Sequence, residues 1–366
     1  MKPTKRKAPP PKPVVTIELA KGVPMEFRLI PPPAHAGVAE PGAPLSFMMG
    51  SRDGYAEEQP RHRVVIPQPF FVGTFPVTQQ QFAIWTESPE YGKWFAANRH
   101  LIPGNPEEHR NIFPGNPHHP AENLSWHEAR GFMEWLNARR LLPPELKSYI
   151  ARLPCEAEWE YACRAGTDTE YANGDGEAVL EETDWFDGNA GTTTHPVGMK
   201  EKNPWDLRDM HGNVWEWCED VYDPKAYAKR EHPWLARAWT QEDSGSDVIL
   251  GDGTPFRVVR GGSWVNPAEW CRAAFRFWWR RGYRNWDQGF RVFLALPGPA
   301  EPVKPVKRAQ AAREREGGTT DQATGRPQPR APIKPPPAGR GRPPARASSE
   351  PAAPQNKSNP RKPPSP

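Results

Sequence analysis

The distribution of aromatic side chains limits, more than any other feature, how this chain can fold. All 16 Trp of the 366-residue sequence lie between Trp85 and Trp286, and no aromatic residue follows Phe293. Residues 297–366 are mainly Pro, Ala, Arg and Lys, which bury too little apolar surface to offset the entropy of ordering them. We therefore expect one globular domain over residues 14–296, a basic disordered arm over residues 1–13 and a disordered Pro/Ala/Arg-rich tail over residues 297–366.

Charge divides the chain in the same way. The formal net charge is +4, but residues 1–13 carry 5 basic and no acidic residues, and residues 301–366 carry 14 Lys and Arg against 5 Asp and Glu. Residues 14–300 therefore have a net charge of −10. An acidic domain argues against specific nucleic-acid binding, whereas basic arms are suited to non-specific contact with acidic partners.

Two classes of segment are missing from the sequence. No run of residues approaches the ~20 apolar residues of a membrane span, and the basic N-terminus lacks the apolar core of a secretory signal. Four Cys in a chain of this length, with no CxxC pair, favour neither a disulfide framework nor a zinc site. We expect a cytoplasmic protein without membrane association, in which Cys155 and Cys218 act as small buried hydrophobes.

Short periodic segments predict an α+β fold with few helices and many loops. Alternating patterns predict strands within residues 14–29, 47–51 and 62–73. Capping boxes at Thr78 with Gln81 and at Ser125 with Glu128 each predict a helix, and a third helix is predicted between Pro154 and Gly166. Glu156 and Glu158 suit the positive end of that third helix. From residue 167 onward, Gly, Asn, Asp and Pro separate short strand-like pieces.

Residues 260–296 combine aromatic rings with Arg at unusual density. Strand alternation would place four residues on one face, namely Ala273, Phe275, Phe277 and Trp279, and three on the other, namely Arg272, Arg276 and Arg280. Such a mixture is typical of surfaces that bind other molecules. It is also how small domains fill a core, so the pattern alone leaves both interpretations open.

Several segments, taken in chain order over residues 17–296, resemble the formylglycine-generating enzyme, or sulfatase-modifying factor, family. They are FMMGS, EEQPRHRV, VTQQQF, LSWHEA, RLPCEAEWEYACRAG, DLRDMHGNVWEWCED, and RGGSW followed by GFRV. The resemblance implies a C-type-lectin-like fold with little regular secondary structure. It also implies that the Arg face of residues 272–280 supports the fold, which would turn the aromatic face toward a ligand-binding cleft.

Departures from the family's motifs argue against the known chemistry of the family in this chain. Its oxidases use copper held by two thiols in a GGSxxCxxxxC pattern, since soft thiolates suit monovalent copper. Here Asn266 stands at the first thiol position, and Cys271 reaches the second only in an alignment without a gap. The iron-binding branch uses HxxxHxE, and none of the ten His here has another His four residues on. Copper is not expected, and Cys271 is the one candidate catalytic residue for an alternative function, oxidation of protein cysteine.

Calcium is the candidate cofactor that the resemblance leaves. A family cation site is matched here by Asp209, Gly212, Val214 and Glu216, and carboxylates with carbonyls suit a hard cation. The alternative is that Glu216 pairs with an Arg. A second family site begins at Asn189 and Ala190, but no matching Asp follows. Two thiols, Cys163 and Cys271, match a disulfide of some members, although unbonded core thiols are expected in a cytoplasmic chain.

The preferred hypothesis is a non-catalytic module that binds a protein or peptide ligand at its aromatic surface. The segment also resembles the variable regions of retroelement-diversified lectin-fold proteins. The predicted ligand-binding residues are Trp264, Asn266, Glu269, Trp270, Phe275, Phe277, Trp279, Tyr283, Asn285 and Asp287. A further alternative is a scaffold that acts through its basic tail.

Overall fold

The computed structural model describes residues 13–30, 45–102, 111–230, 234–238, 240, 243 and 255–297. The chain divides into two units, residues 1–309 and 310–366, and all the described residues belong to the first. The predicted arm and tail fall outside the described residues except at positions 13 and 297. No helix in the described part of the chain combines the length and the apolar character needed to cross a bilayer.

The strands form three small sheets. A five-stranded sheet has the order β1-β2-β5-β12-β6, a four-stranded sheet has the order β10-β9-β7-β11, and a three-stranded sheet has the order β3-β4-β8. The strands are β1 (Val14–Ala20), β2 (Val23–Ile30), β3 (Leu45–Met49), β4 (His62–Ile66), β5 (Phe70–Gly73), β6 (Ile150–Arg152), β7 (Trp215–Val221), β8 (Trp234–Leu235), β9 (Phe256–Arg260), β10 (Arg276–Arg280), β11 (Gln288–Gly289) and β12 (Phe293–Ala295). The strands predicted before residue 74 are confirmed as β1 to β5.

Six α-helices lie among the described residues, and the three predicted ones are confirmed. They are α1 (Gln79–Thr86), α2 (Pro89–Asn98), α3 (Trp126–Arg139), α4 (Glu156–Arg164), α5 (Glu177–Thr183) and α6 (Ala226–Lys229). Both capping boxes form, at the starts of α1 and α3. Helix α4 ends where Ala165 adopts a left-handed conformation and Gly166 follows with φ +90°. The sequence analysis missed α2, α5 and α6. The mixture of short helices, small sheets and long loops confirms the predicted α+β fold.

Buried ion pairs hold the aromatic segment against helix α4. The guanidinium of Arg276 donates to both carboxylate oxygens of Glu156 at 2.6 and 2.8 Å, and that of Arg260 donates to Glu160 at 2.5 Å. Arg272 forms a bidentate pair with Glu58. The prediction that the Arg face supports the fold is therefore confirmed at Arg272 and Arg276.

The glutamates of α4 consequently have a larger role than the sequence suggested. Glu158 does serve the helix start, because its carboxylate accepts a hydrogen bond from the Cys155 backbone at 3.0 Å. Glu156, however, is fully buried and pairs with Arg276 of β10 and Arg260 of β9. These pairs fix how strands β9 and β10 lie on the helix, and so fix which way the aromatic face points.

Candidate ligand-binding site

The predicted aromatic face is partly interior. Phe275 and Phe277 are 2% and 4% exposed, and both rings pack on Trp215 of β7 at centroid distances of 6.0 and 5.7 Å. Strand β10 begins only at Arg276, where it pairs with Arg260 of β9. Because the ion pairs of Arg276 anchor one side of this strand, the other side packs over β7. The expectation that Phe275 and Phe277 present their faces to a ligand is therefore corrected.

Three predicted rings stay partly accessible. Trp270, Trp279 and Tyr283 are half-buried, and Trp279 stacks on Tyr283 at 5.1 Å between ring centroids. Trp270 covers Phe275 at 5.5 Å, with the two rings nearly parallel. Glu269 is exposed and accepts a hydrogen bond from the hydroxyl of Tyr55 at 3.1 Å. We call Trp270, Trp279 and Tyr283 the aromatic shelf.

A second group of rings brings together segments that are far apart in the chain. Trp264 meets Trp286 edge-on at 4.9 Å, and Phe113 contacts these rings at 5.5 and 6.3 Å. Trp286 is 38% exposed, and the chain neighbours Ile112 and Val265 are 43% and 38% exposed. We call these five residues the aromatic patch. Its exposed apolar side chains suit a surface that another molecule covers.

A polar network is formed by residues next in the chain to Trp264 and Trp286. The carboxyl group of Asp287 accepts hydrogen bonds from Ser263 at 3.0 Å and from the side-chain amide of Asn285 at 2.6 Å. The Ser263 hydroxyl also lies 2.5 Å from the side-chain oxygen of Asn266. Asp287 is 3% exposed, and burial raises its pKa to about 6. Asn266 and Asn285 are half-buried at the edge of this network.

Glu122 adds a second buried carboxyl group that the sequence analysis did not find. It is 2% exposed, and one oxygen accepts a hydrogen bond from the Phe113 backbone at 3.1 Å. The other oxygen, Oε2, has no hydrogen-bond partner among the described residues. Burial raises the pKa of Glu122 to about 8, with a further contribution from the charge of Asp287. The carboxyl group therefore binds the Phe113 segment and lies close enough to Asp287 for the two charges to interact.

Other buried polar atoms at this place also lack partners. The side-chain amide of Gln288, next to Asp287 in the chain, is fully buried, and neither its nitrogen nor its oxygen has a partner in the described part of the chain. The indole nitrogen of Trp264 is likewise without one. Buried polar groups are nearly always hydrogen-bonded, so these atoms are candidates for contact with a ligand.

The cysteines do not form a copper site. Cys271 is fully buried beneath Gly262, where an added Cβ would lie 2.5 Å from its sulfur, and burial raises its pKa well above the usual value. At the other thiol position, the side-chain oxygen of Asn266 accepts a hydrogen bond from the hydroxyl of Ser263. One protonated, packed thiol opposite an amide does not fit copper. All four Cys are free and buried, and His211 lies between two of them, contacting the Cys163 sulfur at 3.5 Å and the Cys271 carbonyl at 2.8 Å.

The predicted calcium residues do not fit a calcium ion in this arrangement. Both carboxylate oxygens of Glu216 accept hydrogen bonds from Arg291 at 2.8 to 3.1 Å, and one of them also accepts from the indole of Trp159. Arg291 donates as well to the carbonyl of Asp209, while Gly212 and Val214 are buried in the same turn. The guanidinium is thus the cation that this turn faces, as the alternative interpretation of Glu216 expected.

The residues at the second family cation position also make hydrogen bonds within the fold. The side-chain oxygen of Asn189 accepts from the Phe186 backbone, its amide donates to the Asp184 carbonyl, and the carbonyl of Ala190 contacts the ring of His195. No group of three or more His, Cys, Asp or Glu side chains is placed to hold a metal ion within the described residues.

The fold is that of a domain of the sulfatase-modifying factor type. Residues 38–296 match the model of the sulfatase-modifying factor enzyme 1-like domain. The chain therefore belongs to the formylglycine-generating enzyme family, which confirms the resemblance described above. The structure of Treponema denticola variable protein 1 shares the fold, with a TM-score of 0.56 at 24% identity over 78% of this chain and 99% of that one.

The chain is similar to curated proteins of two kinds, and it covers a different share of each. Serine/threonine-protein kinase pkn1 of Chlamydia caviae is 31% identical over 251 residues, which cover 67% of this chain and 36% of that protein. The chain thus spans about a third of the length of the first relatives it matches. The formylglycine-generating enzyme of Thermomonospora curvata is 27% identical over 285 residues, covering 64% of this chain and 84% of the enzyme.

Proposed function

We propose that this protein is a non-catalytic binding module that holds a protein or peptide ligand on the aromatic surface near residues 264–287. The observation that carries the proposal is the aromatic patch, in which Trp286 is exposed, Phe113 is half-buried and Trp264 is buried, next to the buried carboxyl groups of Glu122 and Asp287. Asn266, at the position of a family thiol, belongs to the same network. Rigid aromatic side chains offer large contact area at a low cost in conformational entropy.

The shelf of Trp270, Trp279 and Tyr283 extends this surface beyond a single pocket. Aromatic residues concentrated around a few partly buried polar groups are typical of the energetic centre of a protein interface. The state of Cys271 supports a non-catalytic role, because a buried thiol with a raised pKa is a poor nucleophile and a poor metal ligand.

Trp286→Ala tests the proposal at an accessible position. Panning a displayed library of random dodecapeptides against the full chain should yield peptides that bind it, and Trp286→Ala should weaken their binding at least tenfold. The matched control is Met199→Ala, which removes a side chain that is 63% exposed elsewhere. Both variants should keep the wild-type melting temperature, since each trims a side chain that is more than a third exposed.

Three outcomes would overturn the proposal. The first is a library that yields no binding peptide, and the second is peptide binding that Trp286→Ala leaves unchanged. The third is oxidation of a cysteine-containing sulfatase peptide in the presence of copper and oxygen, abolished by Cys271→Ser, which would establish the oxidase alternative. Deleting residues 301–366 separates the scaffold alternative, because the module proposed here should bind the same peptides without them.

A further inference from the structure

Arginine pairing is the rule for the buried carboxylates of this domain. Six buried glutamates have an Arg within ion-pair distance, and most of these contacts are 2.5 to 2.8 Å long. Such pairing offsets the large cost of removing a carboxylate from water. The six are Glu58, Glu128, Glu156, Glu158, Glu160 and Glu216.

Glu122 departs from this rule, and so do three buried aspartates, Asp184, Asp209 and Asp287. Glu122 and Asp287 are at most 3% exposed, and neither has an ion-pair partner in the described part of the chain. Their charges act on each other, because Asp287 contributes to the raised pKa of Glu122. Two unbalanced acidic groups at one place destabilise the fold, which is the pattern that functional sites commonly show.

The three rings of the aromatic patch, next to these acids, also lack a Lys or Arg side chain packed on them among the described residues. Elsewhere in the domain Lys or Arg lies over Trp rings, for example Arg257 over Trp126 at 4.1 Å and Lys200 over Trp185 at 4.2 Å. Among the described residues, no such side chain lies over Phe113, Trp264 or Trp286. Both the rings and the neighbouring carboxyl groups therefore lack a cationic partner among the described residues.

We propose that the aromatic patch recognises a basic side chain of the ligand, an ammonium or guanidinium group that packs on Trp286 and Phe113 and is neutralised by Glu122 and Asp287. This inference rests on the proposed function and specifies the chemistry of its ligand. Cations bind the electron-rich faces of aromatic rings, and the interaction strengthens when water is excluded. The free oxygen of Glu122 and the carboxyl group of Asp287 supply the hydrogen-bond acceptors that a cationic donor requires.

Charge and shape together favour a basic peptide over a neutral one. A neutral apolar side chain would cover the rings but leave the free oxygen of Glu122 and the amide of Gln288 unsatisfied. Leaving buried polar groups unpaired costs a complex affinity, so the site discriminates against such a ligand. An acidic ligand would add a negative group beside Asp287, which repels it at neutral pH, and it offers no donor to the free oxygen of Glu122.

The test compares three small probes of matched shape. The full chain is titrated with N-acetylarginine amide, N-acetyllysine amide and the neutral isostere N-acetylcitrulline amide, and binding is followed by calorimetry and by the indole resonance of Trp286. We expect at least one cationic probe to bind at least tenfold more tightly than citrulline. The relative affinity of the Arg and Lys probes then distinguishes a guanidinium site from an ammonium site.

Glu122→Gln is the decisive variant because it keeps the shape of the side chain. It should reduce the affinity for the cationic probe at least tenfold, while the control Glu134→Gln, at an exposed position on α3, should leave it unchanged. Equal binding of citrulline, no binding of either cationic probe, or full binding by Glu122→Gln would each overturn the inference. If the selected dodecapeptides bind through Trp286 and yet need no Lys or Arg, this inference fails while the proposed function stands.

Discussion

At the scale of single residues, Glu122 illustrates how the candidate site lowers the stability of the folded domain. Its carboxyl group is buried, one oxygen has no partner among the described residues, and the charged group that acts on it is another acid, Asp287. The groups that donate to it are backbone amides of Ile112 and Phe113. Such a residue is retained at the expense of stability, which is what a binding role would explain.

The pH dependence of stability tests this description of Glu122. Burial raises the pKa of Glu122 in the folded state to about 8, above the ~4.3 of an unfolded chain. The folded state therefore holds more protons between these values, and the free energy of unfolding falls as the pH rises from about 4 to about 8. Glu122→Gln should remove this loss and raise the melting temperature at pH 8 by roughly 4 °C, as expected for a gain of about 2 kcal/mol in a large domain.

Thermal melts of wild type and variant at pH 5 and pH 8 provide the measurement. At pH 5 the wild-type carboxyl group is protonated, so the two proteins should melt within about 1 °C of each other. A variant that is less stable than wild type at pH 8 would show that the charged carboxylate has a stabilising partner. Glu134→Gln again controls for the substitution itself.

At the scale of elements, strand β10 is held both by its antiparallel pairing with β9 and by a buried ion pair to helix α4. Arg276 contributes to both, because it belongs to β10 and its guanidinium is buried against Glu156 of α4. The aromatic side of the strand is thereby directed toward β7 and the binding surface. The buried ion pair between Arg276 and Glu156 thus helps to position the aromatic side of β10.

Arg276→Ala should therefore be strongly destabilising. It leaves the buried carboxylate of Glu156 with fewer donors, and breaking a buried pair in this way costs about 3–5 kcal/mol. The matched control is Arg280→Ala at the exposed end of the same strand, which should cost less than about 1 kcal/mol. Chemical denaturation of the two variants makes the comparison. Similar losses in both would show that Glu156 does not depend on Arg276.

At the scale of the whole molecule, the two ends of the domain meet in one sheet. Strand β12, which ends at Ala295, lies between β5 and β6, and β5 in turn pairs with β2 near the other end of the domain. The sheet is therefore complete only when the last strand has joined strands that precede it by more than a hundred residues. The domain cannot be shortened from this side without opening its largest sheet.

Two truncations test this dependence. Ending the chain after residue 300 should leave the melting temperature within about 1 °C of wild type, because the residues removed are those whose composition predicts disorder. Ending it after Val292 removes β12 and should abolish cooperative unfolding, since the neighbouring strands lose their ladder partner. Circular dichroism melts of both proteins decide the matter. Cooperative melting of the shorter chain would show that β12 is dispensable.

Local features were predictable because they depend on neighbouring residues. The capping boxes of Thr78 and Ser125 and the αL end of helix α4 follow from hydrogen bonds and backbone preferences within one or two turns. The support of the aromatic segment by Arg272 and Arg276 was also foreseen, although the identity of Glu58 and Glu156 as partners was not. Helices α2, α5 and α6 were not predicted, because segments of 10, 7 and 4 residues carry too few turns for a clear helical period.

The sequence by itself determined the family, the α+β class, the local ends of the main helices and the absence of paired copper thiols. Only the tertiary structure decided that Phe275 and Phe277 face inward and that Arg291 engages Glu216. It alone also brought Phe113 and Glu122 to the rings of residues 264–286. The physical reason is distance along the chain: periodicity reports how neighbouring side chains share a face, whereas burial and charge pairing depend on segments that meet only when the chain folds.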